Sequence, residues 1–251
     1  MGASAGGLAM RGLHRRIVRR RLVVPDLLTP EQMACRVAAE LQDGHYVNLG
    51  FGLPLLVGNH LPPGRDVLIH TENGMIGVGP LARPGEEDPD LVNAGKQFVT
   101  ELPGAAYFQQ SDSFAMIRGG HIDVSILGAY QVAANGDLAN WVVPGERIPR
   151  VGGAMDLAAG ARRVIVMMTH LTRRGEAKLL ERCTLPLTGV RCVDLVVTDM
   201  AVVAVTPAGF ELREVAPGWS AADVQERSGA PLRLSPALRE IPVELLSGSV
   251  R

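Results

Sequence analysis

The amino-acid sequence predicts an α/β fold with an open, largely parallel sheet flanked by helices. Short segments rich in Val, Ile and Leu recur along the 251 residues, as expected for strands in the interior of a sheet. Helix starts and loops separate these segments, which is the pattern of an α/β protein. The 29 glycines and 17 prolines indicate many tight turns between short elements.

The first helix is predicted from its N-terminal signal. Thr29 is the expected cap, Pro30 occupies the first helical position, and Gln32 completes a capping box. The helix should continue to about Leu41 and end before Gly44. Beyond it, the sequence predicts a strand at residues 46–49 and a second helix at residues 55–60. Another strand at residues 66–70 leads into a turn at residues 71–74, and residues 82–90 form a loop.

The second half of the chain is predicted to contain further strands and a late helix. The strand candidates lie at residues 123–127, 164–168, 195–198 and 201–205. Ser220 caps a helix that extends to Ser228, with Asp223 reaching back from the third helical position. We therefore expect a folded domain over residues 28–235 and a loosely packed C-terminal tail over residues 236–251.

The N-terminus forms a separate basic segment in this interpretation. Residues 1–25 contain six Arg and no acidic residue. Such a segment can be an Arg-rich organelle-targeting peptide, a disordered basic tail, or the product of an upstream start with Met10 as a second candidate. We favour a disordered tail over residues 1–27, or the upstream start, over organelle targeting.

Composition excludes several classes of function. A formal net charge of -1 without a basic stripe argues against nucleic acid as the main partner. The sequence has no stretch of about 18 apolar residues, so no membrane span is expected. Three cysteines without a CxxC pair fit a reducing compartment, and we expect a bacterial cytoplasmic protein.

Glu72 is the principal candidate for chemistry. It lies in the turn at residues 71–74, directly after a predicted strand, and ligands of α/β proteins bind beyond the carboxyl ends of strands. A carboxylate on a tight turn beside Asn73 and Gly74 can act as a nucleophile toward an acyl group. From the residue types alone, an exposed turn acid is the favoured interpretation.

Two glycine pairs are further candidates. Gly50 and Gly52 follow a strand and would let backbone N–H groups approach a ligand, although an ordinary strand-to-helix turn explains them as well. Gly152 and Gly153 could supply amide donors to an oxyanion, or form a flexible loop. No His or Cys spacing supports a metal site.

The segments taken together resemble the family I CoA-transferases, and specifically the B-type chain of the 3-oxoacid enzymes. The similarity extends from about Thr29 to about Gly229. It is carried, in order along the chain, by residues 47–54, 69–77, 90–96, 113–121, 136–141, 152–156 and 183–189. Thr71 replaces the serine that usually precedes the family glutamate and keeps its hydroxyl group.

This resemblance implies a CoA-transferase (NagB/RpiA-like) fold and a covalent mechanism. Glu72 would attack an acyl-CoA, form a mixed anhydride and then a glutamyl-CoA thioester. Asn48 and Gly153 would stabilise the carbonyl oxygens, and Lys96 would lie near bound CoA. The expected CoA-binding set is Gly50, Gly52, Asn73, Gly74, Lys96 and Gly152. Coenzyme A enters as a thioester substrate, and no permanently bound cofactor is expected.

The resemblance also implies a partner and a substrate class. An A-type subunit should complete the enzyme as a heterodimer or heterotetramer. We favour transfer from succinyl-CoA to 3-oxoadipate over transfer to acetoacetate, and Arg118 or Arg150 could supply the cation for a second carboxylate. Two alternatives are an enzyme of another class on a similar scaffold, and a non-catalytic, B-like chain that serves binding.

Overall fold

The computed structural model describes residues 25–145 and 152–247, and the predicted α/β class is confirmed. The helices in these ranges are α1 (Pro30–Ala38), α2 (Gln110–Arg118), α3 (Ala154–Gly160) and α4 (Ala221–Glu226), with 3₁₀ helices at Leu53–His60 and Val243–Leu245. The strands are β1 (Tyr46–Leu49), β2 (Leu68–Thr71), β3 (Met75–Leu81), β4 (Val99–Tyr107), β5 (Val124–Leu127), β6 (Gln131–Ala133), β7 (Leu138–Ala139), β8 (Arg163–Met167), β9 (Leu179–Leu180), β10 (Leu195–Val197), β11 (Ala201–Thr206), β12 (Gly209–Val215) and β13 (Arg233–Glu240).

The described residues form a ten-stranded sheet in the order β13-β12-β11-β10-β8-β5-β1-β2-β3-β4, and a small sheet in the order β7-β6-β9. The five central strands, from β10 to β2, are parallel to their neighbours. Strands β3 and β4 on one side, and β11 and β12 on the other, run antiparallel. Because the central strands are parallel, their carboxyl ends meet at one edge of the sheet.

The central strands were predictable because they are buried on both faces. All four residues of β5 are buried, for example, and three of the four are apolar, so the strand appears in the sequence as a short, mostly apolar run. The predicted capping boxes are also present, at Thr29 with Gln32 and at Ser220 with Asp223. Helix α1 ends at Ala38, three residues before the predicted end, and the second predicted helix is a 3₁₀ helix.

The predicted C-terminal tail from residue 236 is wrong for the part of it that the structure describes. Strand β13 pairs in parallel with β12 as far as Glu240, and Ile241 is buried in the core. Pro236 lies where the pairing register shifts, so it interrupts the hydrogen-bond ladder without ending the strand. The folded domain therefore continues to at least Leu246, which is also buried.

The predicted N-terminal tail lies largely outside the described residues, because residues 1–24 are not among them. The next residues lie against the domain. The indole Nε1 of Trp219 donates to the carbonyl of Asp26 at 3.0 Å, and the amide of Leu28 donates to the carbonyl of Asp199 at 2.9 Å. These bonds fix the chain where it enters α1.

Candidate active site

A cleft of about 310 Å³ opens at the carboxyl ends of the central strands. Gly50 follows β1, Glu72 follows β2, Gly128 follows β5 and Met168 follows β8, and all four residues line this cleft. Connections that leave the same edge of a parallel sheet converge there, which is where α/β proteins bind ligands. The cleft is therefore the candidate active site.

Glu72 occupies the tight turn between β2 and β3. The amide of Gly74 closes the turn by donating to the carbonyl of Thr71 at 3.1 Å. Gly74 has a φ of 122°, and a Cβ there would lie 2.1 Å from the carbonyl oxygen of Phe108. A residue with a side chain is excluded on both grounds, so the main role of Gly74 is to shape the turn that carries Glu72.

The carboxylate of Glu72 faces the glycine loop that precedes α3. A Cβ built on Gly153 would lie 3.5 Å from Cδ of Glu72 and 3.2 Å from Cζ of Phe114. The absence of a side chain at residue 153 therefore leaves space directly beside the carboxylate. Oε2 of Glu72 is buried and accepts no hydrogen bond from the described part of the chain. Gly152 lines the same cleft, with open space around its Cα.

A buried polar chain supports the turn from behind. Nδ2 of Asn48 lies 3.1 Å from Nδ1 of His70 and donates to the His70 carbonyl at 3.3 Å. On the other side of the ring, Oγ of Ser113 lies 2.9 Å from Nε2 of His70. The His70 ring also stacks on Phe108, with 6.0 Å between ring centroids. Burial lowers the pKa of His70 to about 4, so its imidazole is neutral at pH 7.

This arrangement places Asn48 beneath the turn rather than in the cleft. Asn48 is fully buried, and its amide group is bonded to His70, the residue two positions before Glu72. Its side chain is not among those that line the cleft. The sequence singled out Asn48 but not His70 or Ser113. Their contribution depends on the β1–β2 register, which pairs Asn48 with His70, and on the packing of α2.

The glycines after β1 divide between two cavities. The amide of Gly50 donates to the carbonyl of Ile126 at 2.8 Å, so it is occupied within the sheet. Gly50 lines the cleft with Glu72, whereas Gly52 lines a neighbouring pocket of about 270 Å³. Phe51 is 65% exposed and borders both cavities. Gly52 has a φ of 88°, which only glycine adopts readily, and it begins the 3₁₀ helix.

Asn73 connects the Glu72 turn to the loop that carries Lys96. Nδ2 of Asn73 donates to the carbonyl of Val92 at 3.1 Å. Within the loop, Oδ1 of Asn93 accepts from the amides of Gly95 and Gln97, which shapes a tight turn. Lys96 lies at its tip with a φ of 58° and an exposed side chain. It is therefore near the second pocket, which Asn93 and Gly95 line, and not in the cleft.

Lys178 is a cleft residue that the sequence did not identify. Its side chain lines the cleft, although the residue is only 8% exposed. Its Nζ donates to Oγ1 of Thr169 at 3.4 Å. Burial lowers the pKa of this ammonium group to about 8, and the negative charge of Asp199 partly offsets the effect. Nothing in the local sequence distinguishes Lys178 from a surface lysine, because its burial depends on the distant strand β6. The amide of Val132 on that strand donates to the carbonyl of Lys178.

Arg118 and Arg150 were predicted as cations for a second carboxylate, and Arg118 is the one that the structure describes. Nε of Arg118 pairs with Oδ1 of Asp156 at 2.7 Å, and its guanidinium lies over the Phe114 ring. The Arg118 side chain is 65% exposed, and Arg118 is not among the residues that line the cleft. Arg150 lies outside the described residues.

Comparison with known proteins gives consistent relatives. The family described as Coenzyme A transferase matches residues 30–227. The chain is 53% identical over 212 residues to the B subunit of 3-oxoadipate CoA-transferase from Pseudomonas putida, covering 84% of this chain and 99% of that protein. It is 48% identical over 206 residues to the human mitochondrial succinyl-CoA:3-ketoacid coenzyme A transferase 2, covering 81% of this chain and 40% of that protein.

A solved structure has the same fold. The acyl-CoA transferase of Escherichia coli O157:H7, in a thioester complex with CoA, matches with a TM-score of 0.70 and 21% identity. The match covers 91% of this chain and 46% of that one, so the present chain spans about half of the larger protein.

Fold and cleft define an α/β protein with a candidate site at the carboxyl edge of a mostly parallel sheet, where proteins of this class bind their ligands. The chain belongs to the coenzyme A transferase family, where it corresponds to the proteins named as B subunits. It is thus a transferase, as the sequence indicated. In the described residues, no helix is long and apolar enough to cross a membrane.

Proposed function

We propose that this chain is the B-type chain of a 3-oxoacid CoA-transferase that transfers CoA from succinyl-CoA to a 3-oxo acid through a glutamyl-CoA thioester on Glu72. One observation carries this proposal. Oε2 of Glu72 is buried and accepts no hydrogen bond from the described residues, and the side chain lies beside a glycine in a cleft at the carboxyl edge of the sheet. A carboxylate oxygen that is not held by hydrogen-bond donors can act as a nucleophile, and the cleft gives an acyl group room to approach the side chain.

The reaction is a series of acyl transfers that need no external oxidant or base. A Glu72 oxygen attacks the thioester carbonyl of succinyl-CoA, the C–S bond breaks, and CoA leaves as a thiolate. The thiolate attacks the Glu72 carbonyl of the resulting anhydride, which releases succinate and leaves glutamyl-CoA. The carboxylate of the 3-oxo acid then displaces the thiolate, and the thiolate attacks the new acyl group. Product acyl-CoA leaves and the Glu72 carboxylate is restored.

Each residue near Glu72 has a distinct part in this proposal. The space beside Gly153 accommodates the tetrahedral carbon, and its backbone amide is the proposed oxyanion donor. Asn48 acts through His70 to hold the turn in place, with Ser113 fixing the other side of the ring. Asn73 couples the turn to the loop of Lys96, where CoA is proposed to bind.

An A-type subunit is proposed to cover the cleft. A mixed anhydride reacts readily with water, so the intermediate requires a closed site. The Pseudomonas relative is named as one of the subunits of its enzyme, whereas the human relative is more than twice as long as the region it shares with this chain.

Free cysteines at positions 35, 183 and 192 fit a reducing compartment, and we propose that the enzyme works in the cytoplasm.

We favour 3-oxoadipate as the acceptor because the Pseudomonas relative, named for that substrate, shares 53% identity over nearly its full length. The alternative is acetoacetate, since the human relative is named as a succinyl-CoA:3-ketoacid enzyme. Comparing kcat/KM for the two acids on the reconstituted complex decides between them. A strong preference for acetoacetate would overturn the assignment.

The covalent intermediate is tested by trapping. The chain is co-expressed with its A-type partner, incubated with succinyl-CoA, and treated with borohydride or hydroxylamine before peptide mass spectrometry. We expect modification at Glu72, and its loss in Glu72→Ala and Glu72→Gln. A complex that forms and binds CoA but shows no modification would instead support a non-catalytic, B-like chain.

A further inference from the structure

We propose that the ammonium group of Lys178 binds the carboxylate at the non-reacting end of a dicarboxylic substrate, and thereby selects dicarboxylic over monocarboxylic acids. This inference rests on the proposed function of the cleft as the acyl-transfer site. It assigns to Lys178 the role for which the sequence offered Arg118 and Arg150.

The position of Lys178 is the first argument. Glu72 and Lys178 are the two charged side chains among the described residues that line the cleft. One is the proposed nucleophile, and the other is a cation that shares its cavity. A substrate bound by both must have a reacting carbonyl at one end and an anionic group at the other. Succinyl-CoA has this form, with a thioester and a free carboxylate in the same acyl group.

The incomplete hydrogen bonding of Lys178 is the second argument. An ammonium group has three N–H donors and no acceptor. In the described structure, Nζ makes one side-chain hydrogen bond, a long one of 3.4 Å to the neutral hydroxyl of Thr169. Because Lys178 lines the cleft, the remaining donors are available to a ligand there.

The charge of Lys178 is the third argument. Among the described residues, no carboxylate forms an ion pair with it. Asp199 attracts it from a distance, but Oδ1 of Asp199 accepts the amide of His170 at 2.7 Å. A buried cation without a counter-charge is costly, and a pKa of about 8 still leaves it mostly protonated at pH 7. A substrate carboxylate would supply the missing partner.

The remaining walls fit the acyl chain between the two charged ends. Leu127, Met167 and Met168 line the cleft together with Ala154 and the glycine loop. These apolar side chains offer no competing anion or cation and suit a short methylene chain. Methionine adapts to ligands of different length, which suits a site that must accept both a donor and an acceptor acid.

The principal test compares Lys178→Met and Lys178→Arg in the complex with the A-type partner. In a ping-pong reaction, kcat/KM for each substrate reports its own half-reaction. For Lys178→Met, we expect kcat/KM to fall about tenfold or more for succinyl-CoA and 3-oxoadipate, as expected for loss of a hydrogen-bonded ion pair. It should fall far less for acetoacetate, which has no second carboxylate. Lys178→Arg keeps the cation and should retain part of the preference.

Arg118→Gln is the matched control, because it removes a positive charge that lies outside the cleft. It should leave the ratio of kcat/KM for 3-oxoadipate to that for acetoacetate within about twofold. If Lys178→Met lowers both constants equally, or lowers neither, the proposed specificity role is wrong. A change of the ratio in Arg118→Gln, with none in Lys178→Met, would assign the role to Arg118.

A second measurement uses the unmodified complex and does not depend on turnover. The complex is treated with acetic anhydride, and mass spectrometry follows the acetylation of Lys178. Succinate should slow this acetylation severalfold, whereas butyrate at the same concentration should not. Equal protection by both acids would overturn the proposal, even if Lys178→Met failed to fold.

The trapping experiment separates this inference from the proposed function. Glu72 labelling by succinyl-CoA together with unchanged selectivity in Lys178→Met would overturn the Lys178 role alone. Absence of Glu72 labelling in the unmodified complex would overturn the transferase proposal first. Protection of Lys178 by succinate, without Glu72 labelling, would still support a dicarboxylate-binding cleft.

Discussion

At the scale of single residues, the site depends on where side chains are absent as much as on where they are present. Gly153 leaves room beside the Glu72 carboxylate, and Gly74 allows the turn to pass under Phe108. Glu72 and Gly74 were candidates because they follow a strand end, and the ordered set of family motifs added Gly153 and favoured a functional role for all three. It could not predict Lys178 or His70, because their burial is set by segments distant in the chain.

Gly153→Ala should reduce activity without unfolding the protein. The added methyl group would contact Cδ of Glu72 at 3.5 Å and crowd Cζ of Phe114 at 3.2 Å, so it would fill the space proposed for the bound carbonyl. We expect kcat to fall on the order of 100-fold, as for a displacement of about 1 Å at a reacting group. Steady-state kinetics of the complex with the A-type partner measure the change. Activity of Gly153→Ala within about twofold of the unmodified complex would contradict this account.

At the scale of secondary-structure elements, a buried ion-pair cluster ties α1 to the edge of the sheet. Nε of Arg36 on α1 pairs with Glu214 of β12 at 2.5 Å, and Arg239 of β13 pairs with the same carboxylate at 2.7 Å.

The central strands were predictable from their apolar runs, whereas β3, β4 and β13 were not. Those strands contain Gly or Pro and have irregular register, so they lack the simple pattern of a buried strand.

Glu214→Gln should destabilise the protein because it removes the carboxylate that Arg36 and Arg239 share, and leaves the buried guanidinium of Arg36 with Glu40 as its remaining partner. Both Arg36 and Glu214 are less than 10% exposed, so solvent cannot replace the pair. We expect the free energy of unfolding to fall by about 3 kcal/mol, as measured for broken buried pairs. Urea denaturation measures the change. Arg213→Gln is the control, because it breaks a half-exposed pair with Glu211 and should change the free energy of unfolding by less than about 1 kcal/mol. Similar losses in both variants would contradict the stabilising role of the cluster.

At the scale of the whole molecule, two buried neutral histidines make stability depend on pH. Burial lowers the pKa of His70 to about 4. Burial, with smaller effects from the positive charges of Lys178 and Arg227, lowers the pKa of His170 to about 4 as well. The rings are part of the fold, since Nδ1 of His170 lies 3.0 Å from Oγ1 of Thr198 and Nε2 lies 3.0 Å from Oγ of Ser228.

The free energy of unfolding should decrease as pH falls from 6.5 to 4. In this window the unfolded chain binds protons that the folded chain does not, so acid favours unfolding. Above pH 6.5 both histidines are neutral in the folded and the unfolded chain, so their contribution to the free energy of unfolding is fully present. Between pH 6.5 and 4, each histidine lowers that free energy by roughly 3 kcal/mol. Denaturation at pH 7, 5.5 and 4.5 measures the slope. His170→Gln should flatten it, and an unchanged slope in that variant would contradict the assignment.

The hydrogen bonds around Asn73 have a consequence for chemical ageing. An Asn-Gly pair deamidates readily in flexible peptides, when the glycine nitrogen attacks the asparagine side-chain carbonyl and forms a succinimide. Here the amide of Gly74 donates to Thr71, and Nδ2 of Asn73 donates to Val92, which holds the two reacting groups in other directions. We expect residue 73 to deamidate more slowly in the folded protein than in a peptide of residues 69–77, as mass spectrometry after prolonged incubation would measure. The bonds that hold the turn of the proposed nucleophile would thereby also protect that turn from slow conversion to isoaspartate.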